Sequence, residues 1–291
     1  MKPTTGSIAQ LLMKPTSGER SRQRINLTMS LLVGVAAFLA ILPLAALILF
    51  VLLKAVPFLV PSFFFNNPLD QEPGILNAIV GSLQLSGLTV LISGPIGIAG
   101  GVYLSEFASP RVVAIGETAI DVLLGVPSIV AGVFAYLILV PVLGFSGWAA
   151  VAALSILTLP IMMRSTQEVL RLVPQAIREA SLALGVPVWK TTLFVSVRTA
   201  FPGILTGVIL AFSRALGETA PLLMTARGTN AENWLDFSTT MNAMPIVIYQ
   251  YSAAASDLLI GQAWATALVL MVLALTINVL VRGRTVNSRT A

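Results

Sequence analysis

Apolar residues in this chain come in long unbroken blocks, with no two-residue alternation and little sign of a polar face. Blocks near 27–53, 76–104, 118–140, 146–164, 200–224 and 258–281 predict six helices. At about 1.5 Å per residue, each is long enough to cross, or nearly cross, a hydrocarbon layer about 30 Å thick. The third and fourth blocks form one uncharged run from Val122 to Met163, broken by the turn-forming stretch Pro141-Val-Leu-Gly-Phe-Ser-Gly147. The first 25 residues are polar, carry Lys2, Lys14, Arg20, Arg22 and Arg24, and lack the apolar core of a signal peptide. The run that follows, Leu27 to Leu53, is too long for such a core and reads as a retained first span. The pattern therefore divides the chain into an inner tail at 1–25, a transmembrane domain at 26–282 with a long inner loop at 165–199, and a second inner tail at 283–291.

Composition agrees. Of the 291 residues, 56% are hydrophobic and 10% charged, and the mean hydropathy is +0.91. Soluble domains carry about 25% charged residues, so the fold class is an all-α integral membrane protein. With no Cys and no His, disulfides, thiolate or imidazole metal sites and His-based acid–base chemistry are absent. Charge sets the orientation. With the N-terminus inside, 14 of the 17 Lys and Arg residues fall on the inner side, Lys54 and Arg227 lie outside, and Arg214 lies within a span. Both termini therefore face the cytoplasm. The net charge of +5 is this topological signal, since the basic residues are scattered beside span ends and form no nucleic-acid patch.

The outer loops are distinctive. Residues 55–75 hold Pro57, Pro61, Phe63, Phe64 and Phe65, then Asp70 and Glu72; residues 226–257 include Asn230, Glu232, Asn233, Trp234 and Asp236. Docking of an external protein and interfacial anchoring by aromatics both fit; anchoring suffices for Trp148, Trp189 and Trp264. In the second block Gly97 and Gly101 form GxxxG, which fits packing within the subunit as well as dimerisation. Pro95 lies in the same block, where it kinks the helix.

One charged pair lies inside a span. Arg214 and Glu218 interrupt the otherwise apolar stretch 200–224 and, on a helix, share a face as i and i+4. An arginine near mid-membrane costs roughly 2.5–3.5 kcal/mol on insertion scales, so such a residue marks a polar pathway or is neutralised by a structural partner. A guanidinium suits an oxyanion: it is a planar fork, charged at any usable pH. Asp121, with Glu117 one turn before it, is a second pathway candidate, with a solvated or capping position as the alternative.

In the inner loop a short helix is predicted from about Gln175 to Leu184, with Pro174 at its start, Gly185 as its cap and Pro187 beyond. Glu179-Ala180-Ser181-x3-Gly185 is similar to the EAA loop of bacterial ABC importer permeases, Glu-Ala-Ala-x3-Gly-x9-Ile-x-Leu-Pro. The front half fits, with Ser181 for the second Ala. In the back half Val195-Ser196-Val197-Arg198 replaces Ile-x-Leu-Pro, and the proline comes later, at Pro202. Three further stretches narrow the resemblance: Val102-Tyr-Leu-Ser-Glu106-Phe107, Ile120-Asp121-Val-Leu-Leu-Gly-Val-Pro127-Ser-Ile-Val130, and Arg214-Ala-Leu-Gly-Glu218-Thr-Ala-Pro221. Across nearly all of residues 27–281 the chain resembles the A-type permease family (PstA) of bacterial high-affinity phosphate ABC importers.

That resemblance implies a type I ABC importer permease fold with six transmembrane helices in the bacterial cytoplasmic (inner) membrane, moving inorganic phosphate inward. It implies that Glu179, Ala180, Ser181 and Gly185 couple to an ATPase as contact and hinge. It also implies a homologous second permease (PstC-type), two ATPase subunits (PstB-type) and a periplasmic phosphate-binding protein (PstS-type), all beside membrane lipid. The chain has no Gly-Lys dipeptide and so no phosphate-binding P-loop; it is expected to be non-catalytic and without a cofactor of its own, ATP and Mg belonging to the partner ATPase. The competing readings are a permease for sulfate, molybdate or phosphonate, a secondary transporter or channel, and a membrane sensor or scaffold. Against the second, no repeat of paired broken spans is detectable.

Overall fold

A computed structural model describes residues 17–231 and 235–287. It divides into two units, Met1–Leu53 and Lys54–Ala291. The first consists of helix α1 (Ser17–Ala55) up to Leu53. This helix starts within the segment read as a polar tail. Most of its described apolar side chains, among them Leu32, Val33, Phe38 and Leu53, are exposed, as expected of a helix that is apolar all round and needs an apolar surrounding.

Among the described residues, the regular structure of the second unit is helical, apart from an isolated bridge between Arg227 and Met241. A short 3-10 turn, Val56–Phe58, precedes α2 (Pro61–Phe65), α3 (Leu76–Glu106), α4 (Pro110–Gly125), α5 (Ser128–Leu143) and α6 (Gly147–Arg171). Then follow α7 (Gln175–Ala183), α8 (Val188–Gly217), α9 (Ala220–Thr225), α10 (Met244–Ser252) and α11 (Asp257–Asn287). Among the described residues five helices are long and apolar enough to cross a membrane, and the bent pair α4–α5 brings the number to six.

The centre is α6, which buries Ala150, Val151, Leu154, Leu157, Met162 and Leu170. It runs parallel to α3, because contacts advance in step along both. Ser93 Oγ is 3.0 Å from Thr158 Oγ1. A Cβ on Gly97 would lie 2.7 Å from that of Met162, and one on Gly101 2.7 Å from the Met163 carbonyl oxygen. The GxxxG glycines therefore serve packing within the subunit. Helix α8 runs antiparallel to α6: Gly203 faces Val169 and Gly207 faces Ser165. The first turn of α6 is closed from outside. Ser146 Oγ accepts from Ala149 N, while Ser146, Gly147 and Trp148 donate to the carbonyls of Thr225, Thr239 and Phe237.

Two expectations are corrected. The third span, read as one helix over 118–140, is two helices bent by 98° at Val126-Pro127. Proline lacks an N–H and pushes the preceding residue out of the helical region; Val126 is extended, at φ −68° and ψ 124°. The fifth span, read as continuous over 200–224, stops at Gly217, with Glu218 extended at ψ 128°. Pro221, four residues on, cannot donate to the Gly217 carbonyl. Helices enter the segment 165–199 from both ends: α6 continues to Arg171 and α8 begins at Val188. Likewise α11 continues through 283–287. The segment 226–257 contains α10, which buries Met244, Pro245, Ile246 and Val247. Glu232, Asn233 and Trp234, named for that loop, lie outside the described residues, as does the tail before Ser17.

Candidate functional site

The break between α8 and α9 brings the intramembrane pair together. Arg214 Nε lies 3.1 Å from Glu218 Oε1, with the arginine side chain 47% and the glutamate 12% exposed. Their relation differs from the predicted one. Arg214 sits in the last turn of α8, whereas Glu218 is its C-cap, already off the helix. A cation there also faces the carbonyl end of its own helix, which favours it. The elements around the break are fixed by packing. Gly132 of α5 meets the backbone of Pro221, Asn278 of α11 donates to Ser213 Oγ at 2.9 Å, and Thr225 Oγ1 donates to the Pro221 carbonyl at 2.7 Å. Leu210, one turn before Arg214 on the same face of α8, is exposed as well.

Asp121 stands elsewhere. Its partner is Arg164, at 3.7 Å, and Arg164 also bonds Glu168 at 2.8 Å. Arg164 neighbours Ser165, which packs on Gly207 of α8; seven residues of helix, ~10 Å, separate that level from Arg214. Glu117, one turn before Asp121, pairs with Arg171 and accepts from the fully buried Gln167 Nε2 at 3.0 Å. Together the two carboxylates strap α4 to the end of α6.

The loop helix forms as predicted, over Gln175–Ala183, and Gly185 caps it at φ +80°, where a side chain is strained. Glu179 and Ala180 are exposed, with Ile177, Leu182 and Leu184 also outward. Ser181 is turned inward: it is buried, and its Oγ lies 2.9 Å from Thr191 Oγ1. Sequence reasoning missed the residue that fastens this helix. Arg178 donates to Glu106 Oε1 at 2.6 Å, to the carbonyls of Leu170 at 2.8 Å and Val173 at 3.3 Å, and to Ser196 Oγ at 3.3 Å. The motif Val102–Phe107, which holds Glu106, was the available signal for its partner.

Residues 93–283 match the family described as binding-protein-dependent transport system inner membrane component. The chain is 37% identical over 265 residues to the phosphate transport system permease protein PstA of Pasteurella multocida, covering 90% of this chain and 93% of that one. To PstA of Haemophilus influenzae it is 40% identical, covering 81% and 85%. To PstA 1 of Mycobacterium tuberculosis H37Rv it is 38% identical, covering 70% and 67%. Among solved structures, an inward-facing form of the MetNI methionine ABC transporter superposes with a TM-score of 0.56 at 17% identity, over 73% of this chain and 93% of the other. That likeness is one of fold, the type I ABC importer permease. The chain thus belongs to the binding-protein-dependent transport system inner membrane components and, among them, to the family of PstA phosphate transport system permease proteins.

Proposed function

We propose that this chain is a membrane-spanning permease subunit of an ATP-driven importer that carries inorganic phosphate into the cytoplasm. The observation that carries this reading is Arg214: half-exposed, at a helix break, and held by one carboxylate. Phosphate near neutral pH is a mixture of mono- and dianion, and a guanidinium presents a planar fork matched to its oxygens. Glu218 keeps that charge from becoming a tight trap, since conduction requires a site that admits the ion and releases it. Asp121 and Arg164 line the way out in the same reading.

ATP and Mg bind to partner subunits in this reading, because the chain has no P-loop sequence of its own. The exposed face of α7, with Glu179 and Ala180 and turned by Gly185, seats on an ATPase. Ser181 supports it from behind. A homologous second permease (PstC-type), two PstB-type ATPases and a PstS-type periplasmic binding protein complete the assembly, with both termini and α7 in the cytoplasm.

Reconstitution of the four components in liposomes tests the proposal: phosphate uptake should require ATP on the α7 side and binding protein on the other. Uptake of sulfate or molybdate in preference to phosphate would overturn the substrate. Since the chain is free of cysteine, single cysteines at Gln71 and Gln175 report topology, and labelling of Gln175 from outside would overturn the orientation.

A further inference from the structure

The transport reading gives Arg178 no role, yet it has the densest set of polar partners on the α7 side. It lies where two helix ends meet. Helices α3 and α6 run parallel, so their carbonyl termini lie side by side, at Glu106 and Arg171. Each terminus carries roughly half a negative charge, and Glu106 adds a full one. The Arg178 side chain, 24% exposed, reaches from α7 into this spot and meets Glu106, 9% exposed. It also takes the carbonyls of Leu170 and Val173. On its other edge its Nε donates to Ser196, which is fully buried. Ser196 belongs to a π-helical segment, Thr191–Val197, within α8. This is where Val195-Ser196-Val197-Arg198 replaces the family's Ile-x-Leu-Pro.

Little else holds α7. It has nine residues, of which Ser181 alone is buried, so apolar packing fastens it weakly. Its attachment is polar: Arg178 to α3, α6 and the π segment, and Ser181 to Thr191. A load applied to the outward face of α7 therefore passes through these groups. They lead to the helix that carries the glycine seam, to the central helix, and to the helix that carries Arg214.

We propose that Arg178 and Glu106 form a strut that makes α7, the ends of α3 and α6 and the π segment of α8 move as one body, so that Arg178 is a positioning residue for energy transfer. The proposal rests on reading α7 as the ATPase contact. Arg178 touches no substrate. Its removal changes how much transport each ATP drives, which a purely structural role does not do.

The test uses the complete complex in liposomes and measures phosphate taken up per ATP hydrolysed. The double variant Arg178→Gln with Glu106→Gln removes both charges, a change often near neutral for folding. The expected result is a fall in that ratio of about tenfold, inside the roughly 5- to 150-fold span of ordinary coupling energies. Uptake and hydrolysis that fall together, leaving the ratio at the wild-type value, would overturn the strut. A second measurement does not depend on that variant. Cysteines replacing Ser181 and Thr191 form a disulfide between α7 and α8 on oxidation. If these elements move as one body, the oxidised and reduced complexes give the same ratio. A complex that stops when oxidised and restarts when reduced shows α7 pivoting on α8, and the proposal fails. A wild-type complex that carries another oxyanion defeats the phosphate reading alone, and the ratio is then measured with that anion.

Discussion

Arg178 and Arg214 are the same residue type under opposite conditions. Arg178 is three-quarters covered and engages a carboxylate, two carbonyls and a hydroxyl. Arg214 is 47% exposed and has one carboxylate. A guanidinium offers five donors, and those of Arg178 are largely used by its own chain, whereas most of those of Arg214 remain for something that arrives. Burial with saturated hydrogen bonding makes an arginine a fastener. Exposure at an interrupted helix leaves an arginine with the free donors that the proposed anion contact needs. Charge and membrane depth alone do not separate the two.

Breaking the fastener should have the largest effect. Arg178→Gln alone leaves Glu106 buried without its cation, and a loss of about 3 kcal/mol is expected from the cost of breaking a buried pair. Denaturation in mixed micelles measures it, and restoration by adding Glu106→Gln checks the cause. Arg214→Gln comes next: uptake should fall roughly 10- to 100-fold, the value of charge-assisted hydrogen bonds worth about 1.5–3 kcal/mol. Adding Glu218→Gln separates the two roles, because near-wild-type uptake in the double variant would reduce Arg214 to a second fastener. Arg214→Lys retains the charge and loses the planar fork, so its uptake should lie between those of wild type and Arg214→Gln. A smaller shift is expected for Ser196→Ala, about 1 kcal/mol for one hydrogen bond. The exposed Thr206, whose hydroxyl returns to the Pro202 carbonyl of its own helix, should give less than about 0.5 kcal/mol on the same change to alanine. Equal shifts at the two hydroxyls would erase the distinction.

The spans were legible because apolar blocks of this length have few alternatives to a membrane helix. Gly185 and Pro174 likewise announced α7, since left-handed caps and N-terminal prolines are local chemistry. What escaped was direction. The run from Val122 to Met163 is uncharged throughout, so hydropathy could not register the 98° bend at Pro127. The break after Gly217 was equally invisible to it, although Pro221 marked the place. Helix α10 went unread because the polar residues around it set the character of the whole segment. Among the candidate residues, Arg214 and Glu218 were found at once, being charges where none are expected. Arg178 was not, because its carboxylate partner is 72 residues away and no spacing rule joins them. Ser181 was grouped with the coupling residues by its motif; its hydroxyl lies against Thr191, which no motif indicates.

The two non-helical residues between Gly217 and Ala220 have a geometric consequence. Inside a helix, hydrogen bonding fixes every φ and ψ; here the Glu218 N–H still donates to Ala215 and the Thr219 carbonyl still accepts from Leu223, but the torsions on either side of the 218–219 peptide are left without such a bond. Rotation about those few torsions changes the angle between α8 and α9, which is held on its far side by Gly132 and by Ser146. The guanidinium rides on one arm of this joint, while the carboxylate belongs to the joint itself. The separation of Arg214 from Glu218 is thus an internal goniometer: any change in the bend is registered as a change in how firmly the cation is held.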